Sequence, residues 1–171
     1  MEYSFTNATL DDLPQIWTIL EKAILRRKED GSNQWQDGYP NPAVIQKDIE
    51  RNAGFVMMNG PAAIGYVAIQ LNDEPAYEEI DGKWLTNEDF VVFHRVAISE
   101  DYLGRGLSRK MLAFIEEFAQ KNKVKSIKAD TNFDNAAMIN IFEKTGYVYC
   151  GEVFFRGSPR LAYEKVLDTH L

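Results

Sequence analysis

The stretch YLGRGLSRK at residues 102–110 sets two glycines one residue apart, with Arg105, Arg109 and Lys110 around them. It follows an apolar run, FVVFHRVAI (90–98), and opens a helical pattern in which Leu107, Met111, Phe114, Ile115, Phe118 and Ala119 share a face. A turn that leaves a strand and enters a helix gathers its backbone N–H groups at the positive end of the helix dipole. Glycine at 104 and 106 lets an anion approach that backbone with no Cβ in the way, and the three cations can meet further charge. The chemistry this predicts is phosphate binding, although a plain strand-to-helix turn would use the same residues. Two phosphate motifs are excluded. A dinucleotide fingerprint GxGxxG needs glycine where Arg109 stands, and the Walker pattern GxxxxGK[ST] is absent.

The elements that must position this turn can be read on either side of it. An opening strand is expected at 3–9, then a helix capped by Asp11 or Asp12 with Pro14 in its first turn and Leu13, Ile16, Trp17, Leu20 and Ile24 as its apolar stripe. A loop at 29–42 precedes a helix opened by Asn41-Pro42, carrying Val44, Ile45 and Ile49 on one side. Strands follow at 54–59 and 63–71, then a polar, irregular segment at 72–89, then the strand 90–98, apolar on both faces and so central. Beyond the helix from Leu107 come a strand at 124–131, a helix 135–145 capped by Asp134 and closed by Gly146, and two strands around Gly157-Ser158-Pro159. Strands alternating with helices and a terminal hairpin predict an α/β fold with a mixed sheet.

The 171 residues suit a single domain, 1–171, and 45% hydrophobic content is that of a globular chain. Nineteen Lys+Arg against 26 Asp+Glu, net −7, argue against a nucleic-acid partner. Cys150 is a lone cysteine, expected as a small buried hydrophobe, and no Cys/His cluster is spaced for a metal. No leader pattern and no apolar run of spanning length are visible, so the expectation is a soluble cytoplasmic protein without a membrane partner.

The run VFHRVAISEDYLGRGLSRKMLAFIEEFA, followed by ADTNFDNAAMINIFEKTGY, resembles the GNAT superfamily of acyl-CoA-dependent N-acyltransferases. That family's signature is Gln/Arg-x-x-Gly-x-Gly/Ala between a central strand and a helix, then Asn, then Tyr seven residues later, then Gly-Phe. Here Leu103 stands at the Gln/Arg position and Ser108 at the last Gly/Ala; neither change removes a backbone N–H. Asn135 falls on the family's asparagine and Phe142 on its tyrosine, often the acid for the departing thiolate, a role that phenylalanine cannot fill. The resemblance implies a mostly antiparallel central sheet with two splayed parallel strands, flanked by about four helices. It also implies acetyl-CoA as co-substrate, with no metal. Its coenzyme-binding positions would be Val96, Ala97 and Ile98 on the strand; Leu103, Gly104, Arg105, Gly106, Leu107, Ser108 and Arg109 in the turn; and Asn135 and Phe142.

An alkylammonium acceptor must lose a proton before it can attack a thioester. His94, two residues before Val96 and on its face by strand alternation, is the first candidate base; a hydrogen-bonded core histidine fits the same position. Glu88 and Asp89, at the mouth of the strand, are alternative bases, and His170 is expected to be solvated. By family analogy the 29–42 loop lies over the acceptor, so Trp35 and Tyr39 are substrate-binding candidates, able to wall a site or hold a cation or simply to anchor the loop. The acidic residues of 72–89 could steer a cation or be solvated. The expected activity is acetyl transfer to a primary amine, a small cationic one before a protein N-terminus or lysine. The alternative is a module that binds or senses acyl-CoA without turnover. The apolar C-terminal strands permit a homodimer.

Overall fold

The computed structural model describes residues 2–168; His170 lies outside them. β1 (Ser4–Asn7) leads to a tight turn over Leu10–Asp12, where Thr9 N donates to Asp12 Oδ2 at 2.8 Å. α1 (Leu13–Glu29) carries Pro14 in its first turn, where an N–H would have no helical partner anyway. Its apolar stripe faces the core, with Ile16, Ile19, Leu20 and Ala23 buried. Asn41 Oδ1 accepts from Val44 N at 3.1 Å and so caps α2 (Pro42–Glu50), as its side-chain type predicts.

β2 (Gly54–Asn59) and β3 (Ala62–Leu71) pair antiparallel through a short turn. The segment expected to be irregular at 72–89 holds a 3₁₀ turn, Pro75–Glu79, and a two-residue strand β4 (Asp81–Gly82), and it buries Tyr77 and Trp84. β5 (Phe90–Ile98) is the strand with the apolar run, followed by α3 (Leu107–Lys121) and β6 (Ser126–Thr131). α4 (Ala136–Lys144), β7 (Val148–Phe155) and β8 (Ser158–Val166) complete the order. The cap of α4 is Asn135, whose Oδ1 accepts from Met138 N at 3.2 Å, and not Asp134. The Asp134 carboxylate accepts from Asn132 Nδ2.

The strands form one eight-stranded sheet in the order β1-β2-β3-β5-β6-β8-β7-β4. It is antiparallel except for β5 and β6, which run parallel and pair at Phe90–Ser126, Val91–Ile127 and Val92–Lys128. A mostly antiparallel sheet with one parallel pair and four α-helices is the architecture that the sequence resemblance implied.

Two compact units are distinguished along the chain: residues up to Ile69 with His94–Phe114, and Gln70–Phe93 with the chain from Ile115. In the first, α1 and α2 set Ile16, Leu20 and Ile45 against Val56 and Tyr66. In the second, Tyr77, Trp84, Val92, Val153 and Ala162 form the core. Each large aliphatic side chain removed from water in this way contributes roughly 1.5–3 kcal/mol before conformational entropy is subtracted.

Candidate active site

In the first unit, α3 starts from an exposed turn at Leu103–Gly106. Gly104 and Gly106 have φ of +77° and +74°, in the left-handed region where a side chain is strained, and a Cβ at either would meet nothing within 4 Å. None of the backbone N–H groups from Gly104 to Arg109 has a hydrogen-bond partner among the described residues. Leu107, Ser108 and Arg109 lack one because they form the first helical turn. Leu107 is buried and anchors the turn, whereas Arg105 and Arg109 are exposed. Arg105 lies over the Tyr102 ring at 4.8 Å, and Tyr102 OH accepts from Asn59 Nδ2 at 2.8 Å. The result is an exposed row of backbone donors with Arg105 and Arg109 beside it, at the positive end of the α3 dipole.

β5 departs from regular strand geometry just before Val96, Ala97 and Ile98. Arg95 has φ of +61°, which breaks the two-residue alternation, so the shared face inferred for His94 and Val96 does not follow from spacing alone. His94 itself is half-buried. The Arg95 side chain is held by a buried carboxylate: Nε donates to Asp48 Oδ2 at 2.9 Å and Nη2 to Asp48 Oδ1 at 2.6 Å. Tyr66 OH donates to the same Oδ2 at 2.7 Å, and Arg95 Nη1 donates to Tyr39 OH. Burial alone would lower the Arg95 pKa; Tyr39 and Asp48 outweigh it and raise it. Burial, followed by the Asp48 charge, pushes the Tyr66 phenol well up, so it stays a donor.

These contacts explain the 29–42 loop. Tyr39 is half-buried and tied to Arg95, while Trp35 is buried with its ring face covered by Arg27 at 3.7 Å. Burial, reinforced by neighbouring Arg26, pushes the Arg27 guanidinium down to about 10. Arg26 Nη2 donates to Ile98 O at 3.1 Å, which fixes the end of β5. Sequence reasoning missed Asp48, Arg95 and Tyr66. The available signal was an aspartate on the apolar side of α2, three residues after Ile45 and next to Ile49, where a charge must find a buried partner.

The remaining candidates belong to the second unit. Glu88 and Asp89 are exposed, and Asp89 Oδ1 accepts from Asn72 Nδ2 at 3.2 Å. Asn135 caps α4. Phe142 is fully buried, its ring centroid 4.9 Å from Tyr147 and 4.8 Å from Tyr163. The Tyr147 hydroxyl is buried without a partner among the described residues, and burial raises its pKa beyond that of an ordinary phenol. A Phe142→Tyr variant therefore places another hydroxyl in an apolar cluster and is expected to lose about 1–3 kcal/mol of stability. Urea unfolding measures this; an unchanged midpoint would show that the added hydroxyl reaches water or a partner.

The model of the acetyltransferase (GNAT) family matches residues 17–147. A crystal structure of a GNAT-family acetyltransferase from Streptococcus agalactiae is 34% identical, covers 98% of this chain and 96% of its own, and superposes with a TM-score of 0.87. A second, from Listeria monocytogenes, is 22% identical over 98% of this chain and 96% of its own, with a TM-score of 0.79, and shows the fold. The uncharacterized N-acetyltransferase YesJ of Bacillus subtilis is 26% identical over 84% of this chain and 81% of its own length. Together with the strand-to-helix turn of unpartnered amides and the single parallel strand pair, these matches establish that the chain belongs to the acetyltransferase (GNAT) family.

Proposed function

We propose that the chain acts as one N-acetyltransferase domain that moves an acetyl group from acetyl-CoA to a small primary amine by direct attack. The observation that carries this reading is the row of N–H groups from Gly104 to Arg109 without partners among the described residues, with the Arg105 and Arg109 side chains exposed beside it. A diphosphate supplies the acceptor oxygens that such a row calls for. Backbone N–H groups around Val96–Ile98 polarise the thioester carbonyl, with the kink at Arg95 setting their direction. The amine nitrogen forms its bond to the carbonyl carbon, the C–S bond breaks, and the sulfur leaves as a thiolate. Its reference pKa of about 8.5 makes it a tolerable leaving group without a dedicated acid. His94 takes the amine proton, with Glu88 or Asp89 as alternatives. A loop pinned through Trp35 and Tyr39 suits a small, enclosed acceptor, and the net charge of −7 suits a cationic one.

Thiol release from acetyl-CoA, measured across a panel of amines, tests the transfer. Release with at least one small amine is expected, and His94→Ala should abolish the acid limb of the pH–rate profile; an unaltered limb moves the base elsewhere. A second reading is favoured by Phe142, which has no proton to give: coenzyme binding without turnover. Saturable coenzyme binding with no thiol release for any acceptor would select it. No binding of acetyl-CoA to the folded chain removes both readings.

A further inference from the structure

The second unit holds a cavity of about 480 Å³ that the acetyl-transfer reading engages only through Glu88, an alternative base. Small-molecule sites occupy about 300–1,000 Å³. Trp84, Phe90 and Lys128 line it, together with the carboxylates Glu74, Glu78 and Glu88. Lys128 is only 4% exposed, and its ammonium sits 4.6 Å from the Trp84 ring centroid and 4.3 Å from that of Phe90. Among the described residues it has neither a hydrogen bond nor a carboxylate at ion-pair distance. Its cross-strand neighbour Glu164 is fully buried but already committed, accepting from Leu85 N at 2.7 Å, Thr86 Oγ1 at 2.5 Å and Ser126 Oγ at 2.7 Å. Burial lowers the Lys128 pKa, and Glu164 opposes that shift.

An ammonium carries three donors, and that of Lys128, without an acceptor among the described residues, opens onto this cavity. Two ring faces supply attraction without accepting those hydrogens. We propose that this cavity binds a small free amino acid with an apolar side chain. Its carboxylate lies on Lys128 Nζ, its ammonium among Glu74, Glu78 and Glu88, and its side chain along Trp84 and Phe90. Each charge of such a ligand answers one feature of the cavity. A carboxylate alone meets repulsion from three glutamates, and an amine alone leaves Lys128 unpaired. The exposed Glu78 and Glu88 and the half-buried Glu74 would carry no such assignment by themselves; the lysine lining the same space does.

Calorimetric titration of the full chain, without acetyl-CoA, compares L-phenylalanine with phenethylamine, which lacks the carboxylate, and phenylpropanoate, which lacks the amine. Phenylalanine is expected to bind saturably, and loss of its charge-assisted contact to Lys128 should weaken phenethylamine by about tenfold or more. Lys128→Met should reduce phenylalanine to the phenethylamine level and leave phenethylamine itself unchanged. The proposal is overturned by equal affinity for phenylalanine and phenethylamine, by tighter binding of phenylpropanoate than of phenylalanine, or by no saturable heat with any of the three. The three-ligand comparison on the unmodified chain does not depend on how the variant folds. Because coenzyme is absent, failure here leaves the acetyl-transfer reading untouched.

Discussion

Asp48→Ala is expected to destabilise the protein by about 3–5 kcal/mol, the loss typical of removing one partner from a buried ion pair. Asp48 has no exposed side-chain surface, and the Arg95 side chain is 7% exposed, so water cannot replace the lost carboxylate without opening the core. The substitution leaves the Arg95 guanidinium short of two acceptors and the Tyr66 hydroxyl short of one. Arg51, 3.5 Å from Asp48 and half exposed, loses little because solvent can take over its contact. Asp48→Asn keeps an acceptor but not the charge, so its loss should fall between wild type and alanine. Urea unfolding with an unchanged slope is the measurement, and a loss below about 1 kcal/mol would mean that the pair is not the restraint described. Residual folded protein should also lose turnover, because the left-handed backbone at Arg95 has lost the contacts that hold it.

Gly106→Val should separate binding from folding. A β-branched residue at φ of +74° is strained by roughly 1–2 kcal/mol, yet its Cβ meets no protein atom within 4 Å, so the fold should survive. The same Cβ occupies open space within the run of unpartnered amides, where an anion would have to approach. Losing two charge-assisted hydrogen bonds to a diphosphate is worth about a hundredfold in acetyl-CoA affinity. Calorimetry with acetyl-CoA on the folded variant checks it. Affinity within a few fold of wild type would place the coenzyme phosphates away from this turn, whatever the thermal stability.

Much of the fold was legible because local rules and burial agree. Pro14, Asn41 and the stripe of α1 signal helix starts and faces by covalent geometry and side-chain type. The apolar strand at 90–98 and the glycines after it marked the turn for the same reason: positive φ without a Cβ is a local demand. The α4 cap was misjudged by one residue because Asp134 and Asn135 are both good caps, and the backbone enters helical geometry only after Asn135. The burial of Tyr77 and Trp84 was hidden by a polar, charged segment with no periodicity to interpret.

The run of unpartnered amides at Gly104–Arg109 was determined by the sequence itself, since the donors are backbone groups and the order strand, glycines, helix leaves them without helical acceptors. The partners of Arg95 and the isolation of Lys128 were decided by tertiary structure alone. Asp48 is 47 residues from Arg95, and the rings around Lys128 come from 38 and 44 residues earlier in the chain. A buried charge is defined by what surrounds it, and pairings at such separations exist only once the chain has folded.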